Sequence, residues 1–260
     1  MDSAQKNTQV PQMRKSVGKT CKIHGPYTAQ ITDYNGRKMY SACPKCVEKY
    51  DNRLDDDKKE KILSMLQDSR IPKRFLPCKI ENYQTIGHPG KQKAAARSKA
   101  YVDTFDERKK YGSSLVLCGV PGTGKTHLAC AVAIDLIKKG HQAFYTTTYE
   151  ALMSIKATYG GRSEITEKQI LNKLQNIELL ILDEVGVQFG TDTEKIIFYQ
   201  IINGRYENVL PTILISNLPE NELAEYVGER CMDRLREGGG AVIAFDWESY
   251  RTKKNEKGGK

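Results

Sequence analysis

Gly119-Val120-Pro121-Gly122-Thr123-Gly124-Lys125-Thr126 is the stretch on which the reading of this chain turns. Before it, Ser113-Ser114-Leu115-Val116-Leu117-Cys118 is apolar and β-prone. After it, residues 127–137 carry apolar side chains at helical spacing. A glycine-rich loop between a strand and a helix is the context that separates a phosphate-binding P-loop from a chance match. The glycines let the backbone curl so that successive N–H groups point inward at phosphate oxygens. The helix that starts at the loop adds the positive end of its dipole. In this arrangement Gly119, Gly122, Thr123 and Gly124 form the cradle. Lys125 reaches the β- and γ-phosphates, and the Thr126 hydroxyl holds Mg²⁺. The motif implies a nucleoside triphosphate.

Downstream, Leu179-Leu180-Ile181-Leu182-Asp183-Glu184 is an apolar run ending in two carboxylates. A strand buried on both faces delivers its C-terminal end to a nucleotide crevice. There Asp183 orients Mg²⁺ and its water, while Glu184 is placed to polarise an attacking water. The run Leu214-Ile215-Ser216-Asn217 brings an amide to the end of a further strand, where it contacts the γ-phosphate or serves as a turn residue. Residues 228–236 (GERCMDRLR) place three arginines on a short helix. Such a guanidinium is solvated, or neutralises transition-state charge at a neighbouring subunit's nucleotide.

Around these motifs, strands are predicted at 115–118, 143–147, 179–183, 212–216 and 241–245. Helices are predicted at 127–138, 167–174 and 194–206. Strands alternating with helical crossovers specify an α/β fold with a parallel, doubly wound sheet. The segmentation is a flexible tail at 1–20, a cysteine-bearing ribbon at 21–50, a charged helical connector at 51–70, the α/β domain at 71–250 and a basic tail at 251–260.

In the ribbon, Cys21-Lys22-Ile23-His24 and Cys43-Pro44-Lys45-Cys46 are two pairs, each with two intervening residues. Cys21, His24, Cys43 and Cys46 complete a tetrahedral Cys₃His set for Zn²⁺, closed and therefore structural. Alternating Tyr27, Ala29 and Ile31, then Asn35-Gly36, read as a hairpin. So short a segment needs the metal to fold. Cys78, Cys118, Cys130 and Cys231 have no paired spacing and read as small buried hydrophobes.

Of the formal +9 charge on 260 residues, +3 lies in residues 1–20 and +4 in residues 251–260, so charge points only weakly to nucleic acid. There is no apolar run of bilayer-spanning length and no signal-peptide core, so a cytoplasmic location without membrane attachment is expected. Seven cysteines there are not expected to pair as disulfides.

The order P-loop, LLILDEVG (179–186), Ser216-Asn217, GERCMDRLREGG (228–239) and FDWESYR (245–251) resembles the DnaC helicase-loader family of AAA+ ATPases over about residues 71–251. The resemblance implies ATP as the nucleotide, Asn217 as the sensor amide, and Arg234 as the arginine finger, with Arg230 a second candidate one turn earlier. It implies a domain ending without the usual helical lid, slow or partner-dependent hydrolysis, and self-assembly through the ATPase domain. A hexameric, DnaB-type replicative helicase and single-stranded DNA are the implied partners. The family carries a helical DNA-contacting element between the second strand and Asp183. Here that region is 149–166, with Lys156 and Arg162 for phosphate and Tyr159 for stacking, or else a solvated helix end. The zinc ribbon stands where a helical helicase-binding region is expected. A transposition helper of the related IstB type is the alternative. A non-hydrolysing adaptor is disfavoured by Glu184. Phe75 and Tyr83 read equally as base contacts or as core.

Overall fold

The structure is a computed structural model that describes residues 15–34, 37–159, 164–187 and 192–250. The chain divides into two units, Met1–Lys61 and Ile62–Lys260.

The first unit contains strands β1 (Lys15–Cys21), β2 (Gly25–Tyr34) and β3 (Arg37–Tyr40), antiparallel in that order. Pairing from Lys15↔Ile31 to Cys21↔Gly25 makes a strand of residues 15–20, which the sequence reading assigned to a tail. Cys21 is drawn to a side-chain cluster, so the residues before it are delivered in register to the open edge of β2. Tyr34 pairs with Arg37; the Asn35-Gly36 turn lies outside the described residues. Helix α1 (Pro44–Asp68) starts seven residues before the expected connector, with proline in its first turn.

In the second unit the chain first makes α2 (Pro89–Asp103) and α3 (Phe105–Lys109). It then alternates through β4 (Leu115–Gly119), α4 (Lys125–Lys138), β5 (Ala143–Thr147), α5 (Thr148–Lys156), α6 (Glu167–Asn176) and β6 (Leu179–Val185). It closes with α7 (Asp192–Glu207), β7 (Thr212–Ser216), α8 (Glu220–Val227), α9 (Glu229–Arg236) and β8 (Ala241–Phe245). The five strands run parallel in the order β5-β6-β7-β4-β8. Each expected strand is present within two residues at its ends.

Alternation along the strands divides the core. Leu115, Leu117, Leu179, Ile181, Ile213 and Ile215 pack on one face with α2 and α4. Val116, Leu180, Leu182 and Leu214 pack on the other with residues of α5, α7, α8 and α9. Strands covered on both sides read as continuous apolar runs, which is why periodicity found them. Ile62, Met65 and Leu66 of α1 lie against the first cluster, so this unit begins before the expected residue 71.

Arg205 is fully buried and donates to Thr212 Oγ1 and to the carbonyls of Leu174, Ile177 and Pro211. It ties the end of α6 and the approach to β7 without a carboxylate partner. Burial lowers its pKa to about 9. No helix among the described residues is long and apolar enough to cross a membrane.

Candidate functional site

The loop from Gly119 to Gly124 leaves β4, an interior strand next to the edge strand, with β7 on one side and β8 on the other. That is the switch-point position at which open α/β sheets form a ligand crevice. Two glycines show why the loop needs them. Gly119 has φ +114°, and a Cβ there would strike the Phe245 carbonyl oxygen. Gly124, at φ +98°, lies against the Tyr83 ring and caps the N-terminus of α4. Lys125 opens that helix. Its ammonium donates to the carbonyls of Gly119 (2.7 Å) and Val120 (2.8 Å), so the lysine is curled onto the loop.

Asp183 sits next to last but one in β6 and is buried. Its Oδ2 accepts from Thr126 Oγ1 at 2.9 Å and from the Tyr145 hydroxyl at 2.8 Å. Its Oδ1 accepts from the Glu184 N–H at 2.7 Å. Thr148 Oγ1 donates to the Asp183 carbonyl. The carboxylate is thus held on three sides, aimed at the hydroxyl expected to share Mg²⁺ with it. Burial and the adjacent Asp183 carboxylate both raise the Tyr145 pKa, so the phenol remains a donor. Tyr145 was missed in the sequence, although β5 lies beside β6 with Tyr145 opposite Ile181. A tyrosine two residues from the end of that strand was the available signal.

Glu184 has φ +59°, at the irregularity where the β6–β7 pairing shifts between Leu182 and Val185. The bulge turns its side chain out of the core, and it is exposed. A cleft of about 420 Å³ gathers Thr123, Lys125, Thr126, Asp183, Glu184 and Asn217. Arg74, Phe75, Tyr83, Lys91 and Tyr250 also line it. Of these only Phe75 and Tyr83 were singled out by the sequence. Tyr83 is buried and donates from its hydroxyl to the Thr123 carbonyl at 2.7 Å, which makes it loop support.

The arginine candidates lie apart from this cleft. Arg230 is exposed on α9. Arg234 stacks its guanidinium over the Tyr199 ring (4.9 Å) and the Tyr206 ring (5.3 Å), both on α7. It lines a different cavity, with Lys110, Tyr206 and Glu237. Of the nucleic-acid candidates, Tyr159 is half exposed just past α5. Lys156 is not the free cation the sequence suggested. Its ammonium meets Glu194 Oε1 at 2.6 Å, because α5 and α7 are adjacent. Arg162 lies outside the described residues.

In the first unit, the ligand atoms of Cys21, His24, Cys43 and Cys46 all lie within 4.8 Å of one another. His24 Nδ1 is 3.3 Å from Cys46 Sγ, 3.7 Å from Cys43 Sγ and 3.8 Å from Cys21 Sγ, and the Cys21 and Cys46 sulfurs are 3.6 Å apart. Tetrahedral zinc, with Zn–S of about 2.3 Å and Zn–N of about 2.0 Å, sets ligand–ligand edges of about 3.5–3.8 Å. The four residues therefore fit the ion in number, chemistry and spacing. The end of β1, the turn after it, and the residue before α1 together with the first turn of α1 supply them. The Ile23 N–H donates to Cys21 Sγ, and this bond leads in lowering that thiol to about 6. The Cys46 thiol, hydrogen-bonded to Cys21, is pushed up to about 11. A cation among them removes that conflict.

Comparison with known proteins adds a family, two relatives and a solved structure. The profile of the family described as IstB-like ATP binding protein matches residues 52–258. The protein named replicative helicase loader DnaC from Buchnera aphidicola subsp. Baizongia pistaciae (strain Bp) is 36% identical over 200 residues, 77% of this chain and 80% of that one. Its namesake from Escherichia coli (strain K12) is 36% identical over 176 residues, 68% of this chain and 70% of that one. A crystal structure of the DnaC helicase loader superposes with a TM-score of 0.60 at 23% identity, over 67% of this chain and all of the other, a likeness of fold.

Proposed function

The chain belongs to the IstB/DnaC-type family of AAA+ ATP-binding proteins, and on that premise we propose that it is an ATP-dependent loader of a ring-shaped replicative helicase onto single-stranded DNA. The observation that carries this reading is the meeting of Lys125, Thr126, Asp183, Glu184 and Asn217 at one cleft in a chain 36% identical to proteins named replicative helicase loaders.

The chemistry follows from the side chains. The loop N–H groups and the start of α4 receive the phosphates of ATP. Lys125 exchanges the Gly119 and Val120 carbonyls for β- and γ-phosphate oxygens. Thr126 and Asp183 would hold Mg²⁺, which supplies charge neutralisation on those oxygens when bound. Glu184, turned out by the bulge, orients and polarises the attacking water. Asn217 contacts that water or the γ-phosphate. Arg234, or Arg230, acts on the nucleotide of a neighbouring subunit. That Arg234 lines a cavity other than its own ATP cleft supports a role in trans. Hydrolysis is slow and rises with DNA or partner.

Tyr159 offers a ring for a DNA base, while Lys156 contributes only on leaving Glu194. Zn²⁺ on Cys21, His24, Cys43 and Cys46 holds the small sheet, a docking element for the helicase. The names of the relatives weigh against a transposition helper, which would use the same ATP cleft. Affinity purification of the full-length chain from its native cell, with ATP present, tests the assignment. A hexameric helicase is the expected partner, and a transposase in its place would overturn it.

A further inference from the structure

A P-loop that turns N–H groups toward phosphate leaves carbonyls facing the body of the protein, and those that are buried need donors. For the Gly122 and Thr123 carbonyls the chain supplies donors from two distant segments. Tyr83 and the indole N–H of Trp247 both donate to one oxygen, the Thr123 carbonyl, at 2.7 and 3.1 Å. The Tyr250 N–H donates to the Gly122 carbonyl at 2.9 Å, and the Val120 N–H donates to the Phe245 carbonyl at 2.8 Å. Tyr83 and Trp247 are both buried. Gly122 has φ +75°, and a Cβ there would strike Ser249, so the segment lies directly on the loop. Phe245–Tyr250 is therefore tied to the P-loop at three residues, Val120, Gly122 and Thr123.

We propose that residues 245–250 form a strap which, with Tyr83, sets the P-loop in its phosphate-receiving shape before nucleotide arrives. Trp247 and Tyr83 are positioning residues that act through their common acceptor, and neither needs to touch phosphate. The strap gives a role to the aromatic-rich FDWESY segment, which starts on the last residue of β8. This inference rests on the reading of the P-loop as the ATP site. A loop held in advance loses less conformational entropy on binding, so the strap appears in affinity.

Two measurements on the full-length chain test it. First, a fluorescent ATP analogue is titrated into wild type, Tyr83→Phe, Trp247→Phe and the double variant, all folded by circular dichroism. Each single substitution leaves one donor on Thr123 and should raise Kd about threefold; the double leaves none and should raise it about thirtyfold or more, beyond the product of the singles. A role in packing alone would lower the melting temperature and leave the Kd of the folded protein unchanged, and that result would overturn the strap. Wild type that does not bind the analogue would instead overturn the ATP site, and the strap with it. Second, Trp247 is the chain's only tryptophan, so its emission reports the strap without any substitution. A strap formed in advance gives a blue-shifted, poorly quenched emission with or without nucleotide. Red-shifted, readily quenched emission from the nucleotide-free protein would overturn the proposal even if the double variant failed to fold.

Discussion

Asp183 shows that a site can rest in part on a neighbour that no motif contains, here Tyr145. Its two oxygens take hydrogen bonds from Thr126, Tyr145 and the Glu184 N–H, so the carboxylate is oriented before any ion reaches it. Removing a group that orients a metal-facing carboxylate costs about 10–100-fold in activity or metal affinity. Phosphate binding, by contrast, is carried by the loop N–H groups and Lys125. Tyr145→Phe is therefore expected to leave ATP affinity within about twofold and to cut turnover about tenfold or more. Steady-state hydrolysis beside an equilibrium titration checks the split. Turnover equal to wild type would assign the orientation of Asp183 to Thr126 and the backbone alone. Lys156 carries the opposite lesson. Its place at a helix end next to Tyr159 suggested a phosphate contact, but a carboxylate from a helix 38 residues further along the chain meets it. A partner contributed by tertiary packing leaves no local mark in a sequence.

At the scale of elements, the strands of the α/β unit were legible because burial on both faces leaves each one an unbroken apolar run. The small sheet was legible through its ligand pairs and its β2 alternation, but β1 was not. Its residues 16–20 are all exposed, so no burial period marks it, and only the pairing with β2 makes it a strand. The same exposure identifies what holds this unit together. Among its described residues only Ala29 and Cys43 are buried apolar positions, far too few to offset the entropy of ordering three strands. Binding of Zn²⁺ would then be the folding energy of the unit. One zinc per chain is expected by elemental analysis, and its removal by a strong chelator should abolish amide-exchange protection in residues 15–43. ATP binding by the second unit should be unaffected. Protection that survives complete removal of zinc would show that the sheet folds without it.

Across the whole molecule, the parallel sheet and the placing of the P-loop and carboxylate motifs at strand ends could be read from sequence, whereas the strand order came from the structure. The support around the motifs could not be read from sequence either. Tyr83, Tyr145 and Trp247 converge from three separate segments, and convergence is a property of the fold. On the proposed function the site is shared between subunits, since Arg234 rests on Tyr199 and Tyr206 and lines a cavity other than the ATP cleft. The function proposed here is correspondingly collective, the transfer of a closed ring onto DNA, and a circular single strand tests it most directly because such a ring cannot thread it. With the native cell's hexameric helicase, an oligonucleotide annealed to the circle and ATP, the wild-type chain should switch on unwinding, whereas Lys125→Ala should not. Unwinding equally fast with and without this protein, or equally stimulated by Lys125→Ala, would contradict ATP-dependent helicase loading.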